Sequence, residues 1–204
     1  TEAHLTEEIR SAAAGLTALV PHLDAVALEE DDVTAVLLRI FEPRARLFGW
    51  SVPDQSKGGY SAKGNPGERD LVVRKDGYTI TVIEALVCNQ NPQTKNQQKN
   101  LIGHFQKLFG YEGCRVFFHV VYSYLKNPGE IVSEMRRIVE TEAPPGFTYD
   151  RTDDIPHEDS RPVGLIATYN TPAGSDAKVV CLVLDMRQQA QRDAAVLAGR
   201  TRDS

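Results

Sequence analysis

Hydrophobic positions fall into two rhythms along the chain, and the changes between them predict the elements. Leu5 to Val20 is Ala-rich with helical spacing and stops before Pro21. EEDDVTAVLLRIF, Glu29 to Phe41, opens on acids that complement the positive end of a helix dipole, then runs on as a dense apolar stripe. Pro43 is expected to end or kink that helix. SKGGYSAKGNPG, Ser56 to Gly67, is a Gly-rich loop with room for a short strand. GERDLVVRKDGYTITVIEALV, Gly67 to Val87, has the Val, Ile, Leu, Tyr and Thr content of two strands joined by a turn. After the polar CNQNPQTKNQ, a helix is predicted from about Thr94 to Phe109, with Leu101, Phe105, Leu108 and Phe109 on one face.

RVFFHVVYSY, Arg115 to Tyr124, is apolar almost throughout, the pattern of a strand covered on both faces. NPGEIVSEMRRIVETEA returns to helical spacing. RTDDIPHEDSRP reads as an acidic loop, and GLIATYNT with AKVVCLVLDM as a hairpin around Pro172. From Arg187 the tail reads as helical or frayed. Helices alternating with strands, one pair joined by a tight turn and one by a helical crossover, predict an α/β sandwich with a mixed central sheet flanked by helices. The expected organisation is an N-terminal helical segment or linker over 1–28, an α/β domain over 29–187 and a helical tail over 188–204.

Composition narrows this little. The 204 residues are 41% hydrophobic and 25% charged, ordinary for a soluble domain with one sizeable core. No apolar run reaches membrane-spanning length and no signal-peptide pattern appears, so the expected location is the cytoplasm. A chain that opens on Thr1 rather than Met is expected to be part of something longer. Cys88, Cys114 and Cys181 lack metal-type spacing and read as reduced packing residues. Net charge is -5, which gives no global attraction to nucleic acid. The charge is uneven, however: residues 39–107 hold 11 Lys and Arg against 6 Asp and Glu. A basic middle suits a polyanion as well as it suits a solvated surface.

The acids of the hairpin, Glu68, Asp70 and Glu84, pose the chemical question. Each has either a local partner, such as Arg69 for Glu84, or a share in a metal ion. Register separates the two. A two-residue loop at Asp76-Gly77 pairs Lys75 with Tyr78, sets Arg69 opposite Glu84 and turns Asp70 to the other face. A three-residue loop over Lys75 to Gly77 pairs Arg74 with Tyr78 and collects all three acids on one face. A shared metal demands the second, and that register is the one expected.

Here the sequence resembles the PD-(D/E)xK nuclease superfamily, whose restriction-endonuclease-like core runs αβββαβ, with Asp on one hairpin strand and E-x-K on the next. GERDLVV is similar to the Asp-bearing strand, with Asp70 in the Asp position, and VIEALV to the following one, with Glu84 in the Glu position. The resemblance covers about residues 30–125 and implies metal ligation by Asp70 and Glu84, with Glu68 assisting. It implies Mg²⁺, with Mn²⁺ as a substitute, and hydrolysis of DNA phosphodiester bonds; RNA stays open as substrate. A longer parent protein of bacterial defence or genome maintenance, or a homodimer, fits the family's habits, and a membrane partner does not.

One departure from the family is plain: the lysine position holds Leu86. Some relatives carry a functional Gln or a migrated Lys on the next helix, so Lys95, Gln98 and Lys99 are the candidates for a replacement. Lys57 and Lys63, in the Gly-rich loop, are candidate nucleic-acid contacts. Glu42 resembles the family's helix-borne acid, although a solvated residue before Pro43 is the plainer reading. His104 reads as a hydrogen-bonded helix residue, His119 as a core histidine and His157 as a lone loop histidine. The alternative function, which Leu86 and the negative net charge favour, is a catalytically inactive nuclease-like module that binds nucleic acid or a protein partner.

Overall fold

A computed structural model describes residues 2–23, 29–53, 71–111, 113–155, 162–171, 173–188 and 193. Helix α1 (Glu2–Leu19) ends in a 3-10 turn (Val20–His22) at Pro21. Helix α2 (Glu30–Leu47) begins with Glu30, Asp31 and Asp32 in its first turn and continues past Pro43. Pro43, expected to end or kink the helix, does not end it. A proline removes one ladder hydrogen bond, and here the row Val33, Leu37, Phe41 and Ala45, all buried at helical spacing, carries the helix through.

Seven strands follow: β1 (Trp50–Ser51), β2 (Leu71–Lys75), β3 (Tyr78–Cys88), β4 (Val116–Ser123), β5 (Thr148–Asp154), β6 (Val163–Asn170) and β7 (Asp176–Asp185). Helix α3 (Lys95–Leu108) connects β3 to β4, and α4 (Gly129–Thr141) follows β4. The strands form one mixed sheet in the order β1-β2-β3-β4-β7-β6-β5. Its centre, β3-β4-β7, is parallel and both flanks are antiparallel. The sheet has α1 and α2 on one face and α3 and α4 on the other. Successive residues of β3 show the division: Ile83 and Ala85 pack with Leu16, Leu37 and Phe41, while Val82 and Leu86 pack with Leu101, Phe105 and Ile138. The predicted mixed α/β sandwich is therefore the observed architecture. Among the described residues no helix is long and apolar enough to cross a membrane.

Two further expectations need correction. The segment from Arg151 to Asp154, expected to be loop, belongs to edge strand β5, which its ladder to β6 holds in place despite Asp150, Asp153 and Asp154. Charged side chains on an edge strand also oppose pairing with another molecule. The β2–β3 hairpin has the two-residue turn, not the three-residue loop. Lys75 pairs with Tyr78, and Asp76 (φ 51°) and Gly77 (φ 83°) both lie in the left-handed region, as a type I′ turn requires.

The register then shifts within the hairpin. Arg74 pairs with Thr79 but Val73 with Thr81, so Ile80 is an extra residue on β3. Beyond this bulge Val72 lies opposite Val82 and Leu71 opposite Ile83. Turn and bulge together thus change the pairing that the turn alone would impose.

Candidate functional site

Glu84 sits in the middle of β3, on the face covered by α3, and is only 1% exposed. A carboxylate so far from water needs partners, and α3 together with the turn after it supplies them. The Lys107 ammonium lies 3.2 Å from Glu84 Oε1 and 3.3 Å from Oε2, touching both oxygens. The Tyr111 hydroxyl donates to Oε1 at 3.3 Å. His104 Nδ1 is 3.3 Å from Oε2. His104 and Lys107 are three residues apart on a helix, so both reach the same point of the sheet.

His119 on β4 is the ladder partner of Glu84 and faces Cys181 on β7 in turn. Its ring is fully buried and lies parallel to that of His104, with centroids 6.4 Å apart and planes within 2°. Burial first, and the nearness of His104 second, depress its pKa to about 3, so the ring is neutral. Among the described residues neither ring nitrogen of His119 has a hydrogen-bond partner.

The candidates drawn from the sequence are distributed differently. Lys95 and Lys99 are exposed on the first half of α3. Gln98 turns toward α4, where it donates to Glu134 at 2.9 Å beside the Arg137 guanidinium. The cation at Glu84 is instead Lys107, near the helix's other end. Glu42 pairs with Arg46 one turn along α2 at 2.6 Å. Glu68, Asp70, Lys57, Lys63, Arg69 and His157 lie outside the described residues. Leu86 packs among Leu101, Phe105 and Val121, two residues along the face from Glu84.

All three cysteines are free thiols; Cys88 and Cys181 are buried, and burial pushes the Cys88 thiol up to about 11, consistent with inert packing residues.

As a metal centre, this cluster offers the hard oxygens of Glu84. Mg²⁺ is held by one or two carboxylates and keeps several waters, so an ion at Glu84 would have to displace the Lys107 ammonium from at least one of the two oxygens it touches. Among the described residues no group of three or more His, Cys, Asp or Glu is arranged around one ion. No family model, curated protein or solved structure matches the chain.

Proposed function

We propose that this chain is a divalent-metal-dependent nuclease domain that hydrolyses DNA phosphodiester bonds, built on the restriction-endonuclease-like plan. The reading rests above all on the Lys107 ammonium within 3.3 Å of both Glu84 oxygens, a cation beside the buried acid where Leu86 supplies none. The order α2-β1-β2-β3-α3-β4, with β1 to β4 adjacent and β3 parallel to β4, supports the same plan.

In this reading Glu84 and Asp70 hold the ion, with Glu68 assisting. That requires the β2–β3 ladder, described as far as Leu71 opposite Ile83, to run one residue further. When bound there, Mg²⁺ or Mn²⁺ would supply Lewis-acid stabilisation of charge developing on the phosphate. Lys107 adds fixed positive charge at the same place, where it would stabilise the five-coordinate phosphorus of the transition state more than the ground state. The Tyr111 hydroxyl donates to one Glu84 oxygen, and His104 lies 3.3 Å from the other.

Nicking of supercoiled DNA tests this reading with Mg²⁺ and with Mn²⁺. Glu84→Gln should abolish activity, and Lys107→Ala should cost roughly 10²-fold or more in rate, as losing a transition-state charge donor does. Lys95→Ala and Gln98→Ala should leave the rate within a few-fold. A wild type inactive in both metals at high concentration, or cleavage undiminished in EDTA, overturns the proposal. Inactivity combined with DNA binding would favour the inactive binding module.

A further inference from the structure

Lys95, Lys99, Gly103 and Lys107 stand four residues apart on α3, a row that winds about a third of a turn around the helix, from the exposed side at Lys95 to the sheet-facing flank at Lys107. Residues at this spacing stack along a helix, so the row spans about 18 Å. It ends on the lysine that touches Glu84. Lys95 and Lys99 are exposed and have no carboxylate partner among the described residues, and the whole helix contains no acid.

Gly103 is the feature that a merely solvated face does not explain. It lies mid-helix, where glycine is the least favourable residue after proline. Among the described residues, a Cβ there would meet no atom within 4 Å. Neither packing nor backbone conformation among the described residues calls for glycine at this position. What glycine does provide is a bare helix surface between two flanking cations, where a ligand backbone can approach closely.

We propose that this row is the docking ridge for duplex DNA, with Gly103 the point of closest approach of the phosphate backbone and Lys107 the end that delivers it to Glu84. The identity of the polyanion rests on the nuclease reading above. A ridge of this length runs beside a stretch of DNA carrying about ten phosphates. Lys95 and Lys99 then hold phosphates rather than take part in the chemistry.

Fluorescence anisotropy with a labelled DNA duplex in EDTA measures docking separately from cleavage. The double variant Lys95→Gln, Lys99→Gln should weaken binding by at least about fivefold. It should also lower the salt dependence of log K by about 0.9 for each lysine removed. Gly103→Gln is the sharper test. It should unfold at the same temperature as wild type or higher, because glutamine is the better helix former, yet bind DNA several-fold more weakly. Wild-type affinity in Gly103→Gln, an unchanged salt slope in the lysine variant, tighter binding of an RNA duplex, or no DNA binding by the wild type would each overturn the ridge. The nuclease reading fails separately: loss of binding in these variants of an inactive protein keeps the ridge and removes the enzyme. Unaltered binding in a protein that cleaves does the reverse.

Discussion

His119 places a polar ring between Glu84 and Cys181 in the centre of the sheet, where neither ring nitrogen finds a partner among the described residues. Burial holds its pKa near 3, below the ordinary value of 6.5, so the unfolded chain takes up the proton first as pH falls. The sign follows: the stability associated with neutral His119 is complete above about pH 6.5 and is lost as the pH falls toward 3. Urea unfolding at pH 7 and pH 5 should therefore show a larger loss for wild type than for His119→Leu. Equal losses would mean that the ring is not kept neutral by its surroundings. The Lys107–Glu84 pair makes a second residue-scale prediction. Lys107→Met leaves a buried carboxylate short of a cation and should cost about 1–3 kcal/mol, with half-exposure of the lysine reducing the effect. Adding Glu84→Gln should recover part of that loss, and wild-type stability in Lys107→Met would show that the pair is not coupled.

Elements explain why some features could be read in the sequence and others could not. Helix α3, strand β4 and the β6–β7 hairpin were legible because their apolar spacing is unmixed, as in the eight consecutive buried residues of β4. Strand β5 was not, since Asp150, Asp153 and Asp154 give an edge strand the composition of a loop. The hairpin defeated pattern reading because the Asp-Gly turn and the Ile80 bulge each move the register, and only their combination sets which residue faces which. Lys107 was missed for a reason that geometry supplies afterward. Gln97 on α3 reaches the Val87 carbonyl, and α3 runs back antiparallel to β3. Three strand residues from Val87 to Glu84 cover about 10 Å, which a helix covers in about seven residues. That arithmetic leads from Gln97 to His104 and on to Lys107, whereas Lys95 and Lys99 belong to the top of the crossover. The turn itself is testable: Gly77→Val, forced to a φ of 83°, should cost about 1–2 kcal/mol in denaturant unfolding. Gly164→Ala should be worse, because a Cβ there runs into the Cys181 carbonyl of the neighbouring strand. Wild-type stability in either variant would mean that the backbone relaxes, out of the left-handed region at Gly77 or away from Cys181 at Gly164.

At the scale of the whole molecule, α1 decides how much of the chain acts as one cooperative unit. The sequence set residues 1–28 apart as a helical segment or linker; Leu5, Ile9, Ala12, Ala13 and Leu16 are buried in the core that also holds Val33, Leu37 and Phe41 of α2 and Ile83 of β3. Polar ties reinforce the apolar one: Arg44 of α2 pairs with Glu8 at 2.5 Å, and Lys178 of β7 with Glu2 at 3.0 Å. These surface pairs add little, so the energetic argument rests on burial. Leu5, Ile9 and Leu16 are at most 1% exposed, and each large aliphatic side chain contributes about 1.5–3 kcal/mol on burial. Three of them approach the 5–15 kcal/mol that holds a typical domain together. Deleting residues 2–23 would also bare the matching surface of α2, which backs the strand carrying Glu84. The shortened chain should therefore lose its cooperative thermal transition, bind a hydrophobic dye and show no site-dependent activity. A shortened chain that melts in one sharp step at the wild-type temperature would instead make α1 an ornament on a domain that begins with α2.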